Sequence, residues 1–108
     1  TSFITAWSND TDYASIFSRQ IEGLGRQGDI LVAISTSGNS ENVLNAIHSA
    51  INKKIKVIVL TGKTAGKMKD LGDVKICIPS NNTQRIQEGH LLVEHILCES
   101  IEDFVLKE

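Results

Sequence analysis

The sequence predicts an α/β fold: a parallel sheet in three layers, with helices on both faces. Short, continuous apolar runs are typical of parallel strands, which are apolar throughout because helices cover both of their faces. Amphipathic helical stretches alternate with these runs, and the connections between them are short. This alternation implies right-handed crossovers within one sheet.

Amphipathic spacing identifies the helices. Residues 13–24 carry apolar side chains at helical spacing, with Thr11 or Asp12 as candidate N-cap and glycines 25 and 28 closing the segment. Residues 41–53 form a second predicted helix, and residues 66–71 a weaker one. The long final helix is predicted over residues 84–106.

The strands are predicted at 30–34, 56–60 and 74–78. Three strands make a small sheet for this class. The chain starts at Thr1, its only methionine is Met68, and the apolar stretch 3–7 has no earlier element to pack on. We therefore expect residues 1–108 to be a single domain truncated at its N-terminus, without its leading helices and first strand.

Composition excludes several classes. With 108 residues the chain is long enough for one core, and a net charge of -2 marks neither a nucleic-acid binder nor a membrane-surface binder. Within these residues no signal peptide is visible, and no apolar run approaches the ~20 residues that span a bilayer. Cys77 and Cys98 fall in a predicted strand and helix, which favours buried free thiols over a disulfide. We expect a cytoplasmic protein.

The run from Ser35 to Ser40 is the strongest candidate site. It places four hydroxyl side chains around Gly38, at the carboxyl end of strand 30–34 and directly before a helix. Ligands of open parallel sheets bind there, and a helix N-terminus offers free N–H groups to an anion. The run therefore predicts phosphate binding without a P-loop lysine. The alternative is that Ser40 merely caps the helix, with Glu41 in its first turn.

This run, with Ile34 before it, resembles the phosphosugar-binding loop of sugar isomerase (SIS) domains, which have a flavodoxin-like fold. Three further segments resemble phosphoheptose isomerases: Ser-Asn-Asp at 8–10, Phe-Ser-Arg-Gln at 17–20, and the Gln/His helix at 85–95. The resemblance implies an aldose–ketose isomerase that converts sedoheptulose 7-phosphate to glycero-manno-heptose 7-phosphate for the lipopolysaccharide core. It also implies a homotetramer whose active sites are shared between subunits.

The resemblance also implies roles for individual residues. His95 matches a catalytic acid/base, and Gln87 and His95 match ligands of a divalent ion, expected to be zinc. The substrate would contact Asn9, Asp10, Ser35, Thr36, Ser37, Ser40 and Gln87. The family's upstream Gly-Asn-Gly loop, two further metal ligands and a glutamate acid/base have no match here, so we expect the 108 residues alone to be inactive.

Taken without the resemblance, these side chains have plainer interpretations. A glutamine early in a helix is usually a surface residue, and a lone histidine is more often packed or solvated than a ligand. His48 and His90 keep that interpretation. His90 follows Gln87 by one turn, so it could instead pair with Gln87 or Glu94, or support the site indirectly.

The spacing of Gln87 and His95 poses a geometric question. Eight residues of regular helix separate them by about 12 Å along the axis, whereas ligand atoms lie ~2.0–2.2 Å from zinc. Either the helix is irregular, or the side chains converge, or the site draws on more than one subunit. We favour the third arrangement.

Two other function classes remain open. A non-catalytic SIS domain could sense sugar phosphates or bind protein partners, as do relatives that associate with the bacterial replication initiator. Another SIS enzyme could act on amino-sugar phosphates. The Gln87 and His95 pair favours the isomerase.

Overall fold

The computed structural model describes residues 1–107 as four α-helices, one 3₁₀ helix and a three-stranded sheet. All strand pairs are parallel, in the order β1-β2-β3. This confirms the predicted α/β class. In chain order the elements are α1 Ser2–Asp10, α2 Ile16–Leu24, β1 Ile30–Ile34, α3 Glu41–Asn52, β2 Lys56–Thr61, the 3₁₀ helix Gly66–Asp70, β3 Val74–Cys77 and α4 Thr83–Leu106.

The core lies between the sheet and α3. Side chains alternate across a strand, so Ala33, Val57 and Val59 point to one face, where they pack against Ile47 of α3 and Met68 of the 3₁₀ helix. Helix α2 packs against α3, and its partly buried Ile21 contacts the same core.

Helix α4 covers the opposite face of β2. Leu60 points to that face and is fully buried. Gly89 lets α4 lie close to Ile78, since a Cβ at position 89 would lie 2.8 Å from the Cδ1 atom of Ile78. Helices therefore lie on both faces of the sheet, as predicted, and the amino-terminal half of α4 is fixed over the carboxyl ends of the strands.

Strand β1 differs from its prediction. Its apolar run predicts burial on both faces, but Val32 and Ile34 are each 40% exposed and Ile30 is 63% exposed. β1 is an edge strand, and among residues 1–107 no helix covers this side of it. The prediction of two-sided burial is wrong for β1.

Residues 2–10, for which no element was predicted, form a helix in which the rings of Phe3 and Trp7 stack at 5.7 Å. One other local prediction is wrong. Helix α2 begins at Ile16 rather than residue 13, because the Asp12 carboxylate accepts hydrogen bonds from the amide and hydroxyl of Ser15 and forms a turn there.

The cysteine prediction is half right. Cys77 and Cys98 are both free, but both are exposed rather than buried. The carboxyl-terminal half of α4 is likewise exposed, including Phe104 and Leu106. None of the helices described is both long and apolar enough to cross a membrane.

The residue that precedes β3, Asp73, contacts the amino-terminal end of β2, which is the end of the sheet away from the candidate site. The Asp73 carboxylate accepts a hydrogen bond from the Val57 amide at 2.8 Å and lies 3.6 Å from the Lys56 ammonium group. The hydrogen bond from Val57 is the main cause that holds the pKa of Asp73 below its ordinary value. This bond fixes the start of β2.

Candidate functional site: a hydroxyl-rich loop at the sheet edge

The serine loop, residues 35–40, turns from β1 into α3 through Gly38. Its φ is +70°, and a Cβ there would lie 1.9 Å from the carbonyl oxygen of Ala65. Only glycine fits both constraints. The Gly38 carbonyl in turn accepts from the Met68 amide at 3.1 Å. The loop is therefore held against the segment that follows β2.

The hydroxyl groups of this loop converge. Ser35 is 5% exposed, and its Oγ lies 3.0 Å from Oγ of Ser40 and 3.5 Å from Oγ of Ser37. The same Ser35 oxygen accepts from the Gly38 amide at 3.1 Å. Three hydroxyls thus meet at the start of α3, where the helix dipole is positive, and this arrangement suits an anion with several oxygens.

Ser40 does not act as a helix cap. It occupies the N-cap position of α3, but its side chain accepts no hydrogen bond from the first turn. Asn82 at the start of α4 is the contrasting case, because its Oδ1 accepts from the amides of Gln84 and Arg85. The plain capping interpretation of Ser40 is therefore wrong for its side chain, which turns toward Ser35 instead.

A polar cavity of about 220 Å³ opens beside the loop. Its walls come from the carboxyl ends of all three strands: Thr36 and Ser37 after β1, Lys63 after β2, and Ser80 after β3. Neither Lys63 nor Ser80 was predicted as a site residue from the sequence. Both residues follow shortly after a predicted strand, and this position could have indicated them, since ligands of parallel sheets bind at the carboxyl ends of the strands.

A larger cavity, of about 560 Å³, lies elsewhere. It is an apolar groove between α2, α3 and the edge strand β1, lined by Phe17 and Ile21 among others. It holds no serine of the loop, so we do not assign the phosphate to it.

Gln87 and His95 are both exposed on α4, and Leu91, 54% exposed, lies between them. Helix α4 is continuous over all 24 residues, so the irregular-helix arrangement is wrong. No cluster of three or more His, Cys, Asp or Glu side chains in the part of the chain described could hold a metal ion. Within residues 1–107, His95 therefore belongs to no group of this kind.

Asn9 and Asp10 lie at the exposed end of α1, where the Asn9 amide donates to the Asp10 carboxylate at 3.2 Å. Among residues 1–107 no hydrogen bond joins either side chain to the serine loop. The structure brings Ser35, Ser37 and Ser40 together, with Thr36 on the cavity wall. The Asn9 and Asp10 side chains hydrogen-bond to each other instead.

The histidines differ sharply. His48 is exposed, as predicted. His90 is 2% exposed, and its Nε2 lies 2.9 Å from the carbonyl oxygen of Thr61. It pairs with neither Gln87 nor Glu94, so the pairings considered from the sequence are wrong.

A hydroxyl-rich loop at the end of a parallel strand, facing a polar cavity, is an arrangement that suits a phosphate group. The SIS domain family model matches residues 2–62, and the chain belongs to this family.

The individual relatives are phosphoheptose isomerases, as the resemblance implied. The protein of that name from Sulfurimonas denitrificans is 50% identical over 102 residues, and the one from Shewanella sp. (strain ANA-3) is 55% identical over 105. Each alignment covers 94% of this chain but 52% and 53% of the relative. The chain thus spans about half the length of the curated relatives it matches.

Two solved structures agree with the fold. The phosphoheptose isomerase of Neisseria gonorrhoeae superposes with a TM-score of 0.88 at 46% identity, covering 93% of this chain and 57% of that one. The enzyme of Francisella tularensis gives 0.87 at 40% identity, with coverages of 91% and 53%.

Proposed function

We propose that the protein containing this chain is a phosphoheptose isomerase, which interconverts sedoheptulose 7-phosphate and glycero-manno-heptose 7-phosphate. The observation that carries the proposal is the convergence of the Ser35, Ser37 and Ser40 hydroxyls at the start of α3. Identities of 50% and 55% to proteins of that name support the choice of substrate.

The serine loop is the anchor in this proposal. The amides at the start of α3 and the loop hydroxyls receive the phosphate, and Lys63 on the cavity wall adds positive charge close to it. Binding of this remote group orients the reacting end of the sugar and lowers the entropic cost of reaction.

The reaction moves a proton between C1 and C2 of the open-chain sugar. In our proposal His95 accepts a proton from C1 of the ketose and returns it to C2, while the proton of the C1 hydroxyl passes to the C2 oxygen, through an enediol in which the oxygens carry the developing charge. Gln87 and the exposed polar end of α1 at Asn9 and Asp10 would contact the hydroxyls of the sugar.

Zinc and the homotetramer belong to the proposal as linked features. Gln87 and His95 are eight residues apart on one continuous helix, which places them about 12 Å apart along its axis, whereas zinc ligands lie ~2.0–2.2 Å from the ion. We therefore propose an ion, zinc by the resemblance, whose ligands come from more than one subunit. The exposed apolar side chains of α4, such as Ile96 and Phe104, suit helix packing between subunits. We also propose a cytoplasmic enzyme that serves the lipopolysaccharide core.

The test is turnover by the purified full-length protein. Sedoheptulose 7-phosphate is incubated with it, and the aldose product is followed by chromatography and mass spectrometry. Sedoheptulose without phosphate is the matched control, and it should be converted at least ~100-fold less efficiently because it lacks the anchoring group. An active preparation that converts both equally, or converts only an amino-sugar phosphate, contradicts the proposal. Phosphate binding without any turnover would favour a regulatory SIS domain.

A further inference from the structure

His90 is a buried polar side chain that the proposed mechanism does not use. Its Nε2 lies 2.9 Å from the Thr61 carbonyl oxygen. A carbonyl oxygen only accepts hydrogen bonds, so Nε2 must carry the proton and donate. The Nδ1 atom is buried without a hydrogen-bond partner in the described part of the chain. An apolar side chain at this position would avoid the cost of burying that unpaired nitrogen. The presence of a histidine here is therefore explained only if its Nε2 hydrogen bond has a role.

The acceptor belongs to a peptide group with a second partner. The Thr61 carbonyl and the Gly62 N–H are the two ends of one peptide unit, and the Gly62 amide donates to the Thr36 carbonyl oxygen at 3.0 Å. A continuous chain of hydrogen bonds thus runs from His90, through this peptide, to Thr36 of the serine loop. A carbonyl that accepts a bond makes its own N–H a better donor, so the two bonds reinforce each other.

The peptide has little freedom to move. The Thr61 carbonyl also accepts from the Ile78 amide at 2.9 Å, which occupies its second lone pair. A Cβ at Gly62 would lie 2.6 Å from Cδ1 of Ile86 and 2.8 Å from the Thr36 carbonyl oxygen. Helix α4, the end of β2 and the serine loop are therefore in close contact around this one peptide.

We propose that His90 is a positioning residue, which fixes α4 in register with the serine loop through the Thr61–Gly62 peptide. His90 lies three residues after Gln87 and five before His95 on the same continuous helix. The hydrogen-bond chain therefore sets how far the helix face that carries Gln87 and His95 lies from the phosphate. The expected kinetic effect rests on the proposed function. The coupling between α4 and the serine loop does not depend on that function.

The experiment compares three variants of the full-length protein at a temperature well below their unfolding midpoints. His90→Leu removes the donor at similar size, and His90→Gln restores an N–H near the position of Nε2. Ile47→Val is the matched control, because it perturbs the core on the other side of the sheet. Two quantities are measured: kcat and KM with sedoheptulose 7-phosphate, and hydrogen–deuterium exchange of peptides covering residues 35–40 and 62.

We expect His90→Leu to lower kcat/KM by about tenfold to 100-fold, and to speed exchange in the serine loop. His90→Gln should recover most of both, and Ile47→Val should leave both close to wild type. The inference is overturned if His90→Leu behaves like Ile47→Val, or if His90→Gln is no better than His90→Leu. Should wild type show no turnover, the proposed function fails, while the exchange data still decide whether His90 holds the loop.

Discussion

The two candidate regions of this molecule are built in opposite ways. The serine loop is closed on itself, with Ser35 buried and Gly38 packed against Ala65. The face of α4 that carries Gln87 and His95 is open, with both side chains exposed and Leu91 between them. The residues at the carboxyl ends of the strands are therefore enough to shape an anion site. The proposed proton transfer and metal site, in contrast, require further groups around α4.

The largest effect is expected when the His95 side chain is removed from the open face of α4. In the full-length protein, His95→Ala should lower kcat by about 10²–10⁴-fold, the usual contribution of a general acid or base. Its free energy of unfolding should change by less than about 0.5 kcal/mol, because the side chain is exposed. Steady-state kinetics and urea denaturation give the two values.

His48→Ala is the matched control, since His48 is also exposed on a helix and lies outside the candidate site. It should keep wild-type kcat and stability. Equal kinetic effects of the two alanine variants would remove His95 from the proposed mechanism.

A second test breaks the closed loop. Gly38→Ala places a methyl group 1.9 Å from the Ala65 carbonyl oxygen at a φ of +70°, so the loop must shift. We expect kcat/KM to fall about 100-fold, because a displacement of 1 Å at an anchoring group has effects of that size. The left-handed backbone alone costs about 1–2 kcal/mol of stability.

Gly23→Ala is the control for adding a methyl group. It lies within α2 with nothing within 4 Å of the added Cβ, and alanine favours helix by roughly 0.5–1 kcal/mol. Stability should therefore rise, with kinetics unchanged. If Gly38→Ala binds inorganic phosphate as tightly as wild type in calorimetry, the loop does not bind the anion in the way we propose.

Much of the fold could be predicted because its signals are local. The apolar run 30–34 and the serine loop after it appear in the structure with the predicted bounds, and α3 ends one residue from its prediction. Where a capping side chain competes with helical spacing, prediction failed: Asp12 forms a turn with Ser15, so α2 starts late.

The rest depends on contacts that no local pattern encodes. An apolar run cannot tell which of its faces is covered in a given chain, so the exposure of Val32 was not predictable. Spacing along α4 correctly posed the Gln87–His95 problem, yet it could not reveal that His90 reaches the Thr61 carbonyl. The convergence of Ser35 and Ser40 likewise required the positive φ of Gly38.

The smallest expected effect tests which role Ser40 has. A serine at an N-cap normally contributes about 0.5–2 kcal/mol through a bond to the first turn, but Ser40 makes no such bond. Ser40→Ala should therefore cost only about 0.5 kcal/mol in urea denaturation, because the one bond that its side chain loses is that to the Ser35 hydroxyl, and Ser40 is exposed. Its affinity for inorganic phosphate should fall at least about tenfold, since a hydrogen bond to a charged group is worth ~1.5–3 kcal/mol and 1.4 kcal/mol is tenfold.

Asn82→Ala provides the reciprocal case, because the Asn82 side chain does cap α4, at 3.1 Å from the Gln84 amide and 3.3 Å from that of Arg85. This variant should lose about 1 kcal/mol of stability and keep its phosphate affinity. If instead Ser40→Ala loses as much stability as Asn82→Ala and binds phosphate normally, Ser40 is a helix cap after all. The anion site would then lose one of its three serine hydroxyls, because the position of Ser40 beside Ser35 would be incidental to anion binding.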